Sequence, residues 1–146
     1  MNRIIITAVA IILLASCGKK NRKPYSYWKV NGVEYKSNNV ITSRIPKATI
    51  SSISSKDKIR FGISFNLPNF PKAGEFTINY ENHNPNTVSC VFYFDTIAYV
   101  PKEGNKGKLY AFEQKGKAQF TLPQAWFIKY NSPLDSVLIE GTFYEP

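Results

Sequence analysis

Ile59-Arg60-Phe61-Gly62-Ile63-Ser64-Phe65-Asn66-Leu67 alternates apolar and non-apolar residues without a break. Successive side chains of a strand point to opposite faces, so Ile59, Phe61, Ile63, Phe65 and Leu67 share one face and Arg60, Gly62, Ser64 and Asn66 the other. The stretch is predicted to be a strand with one face in a core, and the chain on both sides follows suit. Downstream, Pro68-Asn69-Phe70-Pro71-Lys72-Ala73-Gly74 interrupts the pattern before Phe76, Ile78 and Tyr80 resume it. Upstream, Tyr27-Trp28-Lys29-Val30 and Val33-Glu34-Tyr35-Lys36 flank Asn31-Gly32, a dipeptide suited to the positive φ angles of a type I′ hairpin turn.

Further strands are predicted over residues 48–54, 88–95, 109–113, 118–122, 126–130 and 137–144, and no segment after Cys17 has helical periodicity. Eight or more short strands separated by turn residues predict an all-β fold, an antiparallel β-sandwich, with a closed β-barrel as the alternative. The sandwich is favoured because no regular up-and-down series of equal strands is evident. Of 146 residues, 43% are hydrophobic and 14% aromatic, enough to build a core, and residues 27–146 are expected to form a single domain.

The N-terminus reads differently. Met1-Asn2-Arg3 is a short positive start, and residues 4–14 contain one polar side chain, Thr7. As a helix this apolar run rises only about 16 Å against a hydrocarbon core of about 30 Å, so it fits the helix of a signal peptide, not a membrane span. Leu14-Ala15-Ser16-Cys17-Gly18 follows and resembles the lipobox of bacterial lipoproteins. The resemblance implies a signal peptide over residues 1–16, cleavage between Ser16 and Cys17, and a lipid on the Cys17 sulfur, the nucleophile as thiolate. Residues 17–26 then form a lipidated, basic linker, and the implied partner is membrane lipid held through acylated Cys17. Two or three acyl chains anchor durably, at about 0.8 kcal/mol per buried methylene.

By resemblance to Gram-negative lipoproteins, Gly18 in place of Asp points away from the inner membrane. The basic Lys19-Lys20-Asn21-Arg22-Lys23 run also differs from the acidic run that marks surface display in Bacteroidota lipoproteins. The expected address is the periplasmic face of the outer membrane. Trp28-Lys29-Val30-Asn31-Gly32 and the closing Gly141-Thr142-Phe143 are similar to features of small Bacteroidota lipoproteins, a resemblance that implies a class and no activity.

The formal charge is +9, but Arg3, Lys19, Lys20, Arg22 and Lys23 all precede Pro24, leaving +4 beyond. About half of the mature charge thus lies beside the anchor, where it favours anionic headgroups, and no nucleic-acid partner is expected. With Cys17 lipidated, Cys90 has no intrachain partner and the fold needs no disulfide. Cys90 shares a strand face with Val88, Phe92 and Phe94, which reads as core and not as a nucleophile.

His83, the only histidine, lies in the polar stretch Glu81-Asn82-His83-Asn84-Pro85-Asn86, which supplies at most two metal ligands where three or four must converge. There is no phosphate-cradling glycine loop, nucleophile elbow or Cys-x-x-Cys, so no catalytic residue, metal or cofactor is assigned and the chain is not expected to be an enzyme. Lys102, Lys106 and Lys108 are separated from Lys115 and Lys117 by the strand over 109–113, and read as solvated loop lysines. Tyr93 lies opposite the core phase of its strand, and residues 126–130 carry aromatics on both phases. Either a second layer covers these faces, the favoured reading, or Tyr93, Trp126 and Phe127 form a surface for a ligand such as a sugar ring. The expected function is a non-catalytic, membrane-anchored envelope lipoprotein binding a protein or glycan. The alternatives are a hydrolase of an envelope polymer and a structural or immunity-type lipoprotein.

Overall fold

The computed structural model describes residues 25–54, 58–81, 84–104 and 107–146. Residues 1–16, expected to be a signal peptide, Cys17, most of the stretch expected to be a linker, His83 and Lys106 lie outside the described residues. Eleven strands follow in order: β1 (Ser26–Val30), β2 (Val33–Ser37), β3 (Asn39–Ser43), β4 (Thr49–Ile53), β5 (Ile59–Phe65), β6 (Gly74–Ile78), β7 (Thr87–Phe94), β8 (Ile97–Pro101), β9 (Lys108–Gln114), β10 (Lys117–Lys129) and β11 (Ser132–Tyr144). Among the described residues no helix is long and apolar enough to cross a membrane.

The strands form one sheet in the order β2-β1-β11-β10-β9-β6-β7-β5-β4-β3, with β8 pairing both β7 and β10. The sheet folds over and its apolar faces meet. Phe61 on β5 stacks on Phe143 of β11 at 4.7 Å, and Phe65 meets Phe120 of β10 at 4.8 Å. This is the all-β, sandwich-like fold that the alternation predicts. The two halves nonetheless belong to a single sheet, and that sheet is mixed. β7 runs parallel to β6 at Thr77↔Thr87 and Ile78↔Val88.

Local chemistry accounts for the elements. Asn31 and Gly32 have φ of 49° and 82° and join β1 to β2 in a two-residue turn at Val30↔Val33. Ile59, Phe61, Ile63 and Phe65 are buried while Arg60 is exposed, as the alternation requires. Residues 118–122 and 126–130, predicted as two strands, are one. A bulge at Pro123-Gln124 places one extra residue between the pairs Leu122↔Gly141 and Ala125↔Ile139. It resets the alternation so that Leu122 and Ala125 both face inward, and proline is tolerated there because a bulge leaves its missing N–H without consequence. The alternation expected to reach Tyr80 stops at Ile78, where β6 ends. β3 and β8 escape the sequence reading because neither alternates cleanly.

Polar contacts hold the folded halves together. Buried Ser26 of β1 and Ser52 of β4 meet hydroxyl to hydroxyl at 2.6 Å. At the corner where β2 gives way to β3, the Ser37 hydroxyl lies 2.6 Å from the Ile53 carbonyl and 2.8 Å from that of Asn39, and accepts from the Asn39 amide at 3.0 Å. Ser26→Ala would strand the Ser52 hydroxyl in the core and is expected to cost about 1 to 3 kcal/mol. Ser26→Ala with Ser52→Ala should cost less than the two single changes added together, because the pair leaves as a unit. Urea midpoints of the three variants measure this, and additive costs would show the hydroxyls to be uncoupled.

Candidate functional site: a cleft where the sheet divides

The interval between β7 and β10 is bridged in two ways. At one end β7 pairs β6, β6 pairs β9 and β9 pairs residues 117–121 of β10. At the other end β8 alone spans the gap, pairing with residues 92–94 of β7 and 127–129 of β10. Two strands on one side and one on the other cannot stay in register, and a cleft of about 750 Å³ opens where they part. Tyr80 and Glu81 line it from beyond β6, Lys102 and Glu103 from beyond β8, and Tyr130 and Asn131 from the turn between β10 and β11.

The backbone under these side chains is tied down. The Asn79 amide donates to the Val88 carbonyl at 2.9 Å, and the Asn79 side-chain oxygen accepts from the Glu81 amide at 3.1 Å, so Tyr80 sits inside a closed Asx turn. The Tyr130 amide donates to the Ala98 carbonyl at 2.9 Å and the Lys102 amide to the Trp126 carbonyl at 3.0 Å. Asn131 takes φ of 100°, which asparagine tolerates better than most residues. The Tyr80 and Tyr130 rings stand 6.1 Å apart at 40°, with the residues 49% and 51% exposed. Exposure of two neighbouring aromatic rings on a rigid rim is the unusual feature of this surface.

The charges in the cleft are mixed. Glu81 and Glu103 are matched by Lys102 and Lys129. The Lys129 ammonium lies 3.9 Å from the Asp135 carboxylate, to which the Tyr99 hydroxyl donates at 3.5 Å. Burial, and next the Asp135 charge, pushes Tyr99 up, so its hydroxyl keeps the proton it donates.

The aromatic residues singled out from the sequence are not brought together. Phe127 is fully buried with its ring edge-on to Phe61 at 5.9 Å, so it offers no surface to a ligand. Trp126 is exposed beside Lys102. Tyr93 is half-buried beneath the Arg60 guanidinium, 4.1 Å from the ring centre, and pairs with Ala98, four residues along β8 from Lys102. That is about 13 Å along the strand, too far for one sugar ring to touch both. Comparison of the chain with family models, curated sequences and solved structures finds no match. The chemistry of the cleft is therefore the guide to its use.

Cys90 is buried in the core and desolvation pushes its thiol up, consistent with a small apolar filler. The Lys108 ammonium lies 2.7 Å from Glu75 at one end of β9, and Lys115 sits in the turn at the other, so the lysines form no single patch. Among the described residues no group of three or more His, Cys, Asp and Glu side chains could hold a metal ion. The cleft tyrosines escaped the sequence reading because Tyr80 continues the inward alternation and Tyr130 closes a strand. The available signal was an aromatic next to asparagine at a strand end, twice, at Asn79-Tyr80 and Tyr130-Asn131.

Proposed function

We propose that the protein is a lipid-anchored envelope lipoprotein whose β domain binds a partner in the cleft without transforming it. The observation that carries the binding reading is the exposed Tyr80–Tyr130 pair on a hydrogen-bonded rim. The lipobox-like Leu14-Ala15-Ser16-Cys17 carries the anchoring. Gly18 in place of Asp and the basic Lys19-Lys20-Asn21-Arg22-Lys23 run support an address on the periplasmic face of the outer membrane.

Cys17→Ala removes the sulfur that accepts the lipid, so incorporation of labelled palmitate is expected to vanish and the signal peptide to be retained or cut inefficiently. Cys90→Ala, deep in the core, should leave labelling intact. Equal labelling of the parent and Cys17→Ala would sink the lipoprotein assignment.

A second reading has one observation in its favour: Glu81 and Glu103 line the same cleft, and glycoside hydrolysis uses two carboxylates. It predicts turnover of envelope polysaccharide that is lost in both Glu81→Gln and Glu103→Gln. Binding that survives those changes, with no product formed by the parent, supports the non-catalytic reading.

A further inference from the structure

We infer that the cleft takes an uncharged oligosaccharide, with sugar rings laid against Tyr80 and Tyr130. The inference rests on the binding reading above and names its ligand.

Three features of the cleft select that chemistry. A pyranose has an apolar face of C–H groups and an equator of hydroxyls, each both donor and acceptor. Two half-exposed tyrosine rings 6.1 Å apart supply flat apolar platforms, and they stand on backbone that hydrogen bonds have already fixed. Around them, Glu81 and Glu103 accept, Lys102 donates, and the Asn131 amide does both, which suits hydroxyls better than any single-signed group. With Asp135 beside Lys129, three carboxylates stand in and around the cleft against two ammonium groups, so a phosphate or polyanion would meet more repulsion than attraction.

Size and position agree. A volume of about 750 Å³ falls within the range of small-ligand sites, about 300 to 1,000 Å³, whereas a stable protein partner needs on the order of 800 Å² of contact per side. The 13-residue strand β11 begins beside the cleft at Ser132 and ends at Tyr144, whose amide donates to the Tyr25 carbonyl at 2.7 Å. The chain enters the domain at that far end, on the order of 30 Å from the cleft along the paired length of β10 and β11 at the rise of a strand. The cleft therefore lies at the end of the domain away from Tyr25, where a tether through Cys17 would join.

The test uses the full lipidated chain in a detergent without a sugar headgroup, titrated by calorimetry with uncharged tetrasaccharides of glucose, mannose and N-acetylglucosamine, and with an alginate tetrasaccharide as the acidic arm. Saturable binding of at least one uncharged probe is expected. Tyr80→Ala and Tyr130→Ala should each weaken it about fivefold or more, and the double change should abolish it. Tyr80→Phe with Tyr130→Phe should retain most of it, and Trp126→Ala, outside the cleft lining, should leave it unchanged. Binding of alginate alone, lost on Lys102→Ala, would overturn the uncharged ligand while leaving the cleft as a binding site. With no saccharide bound, a photoreactive residue at position 102 separates the remaining outcomes in native envelopes. Crosslinking to a protein overturns the saccharide and spares the binding reading, and crosslinking to nothing overturns both.

Discussion

Phe61→Ala is expected to lower the folding free energy by about 3 to 5 kcal/mol, a large share of the roughly 5 to 15 kcal/mol that holds a domain folded. Phe61 is fully buried where the two halves of the sheet meet, stacked on Phe143 at 4.7 Å and meeting the Phe127 ring at 5.9 Å. Its loss removes apolar area and leaves a void against aromatic rings anchored on two other strands, Phe127 on β10 and Phe143 on β11, which cannot collapse to fill it. Arg60→Ala, one residue away on the outer face, should cost no more than about 1 kcal/mol, the value of an exposed cation–π contact with Tyr93. Urea unfolding of both variants decides the matter, and a lower midpoint for Arg60→Ala than for Phe61→Ala would mean that the inward face is misassigned.

Gly141→Ala should be nearly as damaging, about 3 kcal/mol or more, although it adds only one methyl group. Gly141 pairs directly with Trp28 across the β1–β11 ladder. A Cβ there would stand 2.6 Å from the Trp28 Cβ and 3.0 Å from both the Trp28 Cα and the Tyr27 carbonyl oxygen. These neighbours are backbone, or one bond from it, so no rotamer change relieves the clash and β1 must move off β11. The indole cannot yield either, being stacked near Tyr35 at 6.2 Å and Phe143 at 6.1 Å. Gly62→Ala is the control, since its new methyl would meet only the Val91 carbonyl oxygen at 3.8 Å, an ordinary contact. Equal urea midpoints for the two glycine variants would refute the steric account.

The contrast between these glycines shows what a linear reading can reach. Gly62 falls on the outer phase of a strand whose alternation is unmistakable, and the structure finds it there. Nothing local distinguishes Gly141, because its role is created by Trp28, more than a hundred residues earlier in the chain. The strand β5 and the Asn31-Gly32 turn were legible because each is decided by near neighbours: period-two burial in one case and permitted φ angles in the other. The bulge in β10 and the parallel placement of β6 against β7 depend on partners distant in sequence, and they were not legible. The cleft belongs to the same class. It exists because one strand and two strands bridge the same interval, and that mismatch has no signature in any single segment. Aromatics occupy both phases of residues 126–130, yet the fold divides them: Phe127 into the core and Trp126 to solvent.

The pairing of β1 with β11 has a kinetic side. Trp28 lies opposite Gly141 and Ser26 opposite Phe143, so the first strand of the domain finds its inner neighbour only when the last has been made. Contacts so far apart in sequence close slowly, in the millisecond-to-second regime of β-sandwich folding, because the loop entropy comes due before the packing gain. Until residue 143 emerges, the opening hairpin has one exposed flank and Trp28 lacks the ring of Phe143. If residues 1–16 direct export, as proposed, that delay would keep the chain unfolded and threadable during its passage, because the architecture withholds closure until the C-terminus has followed.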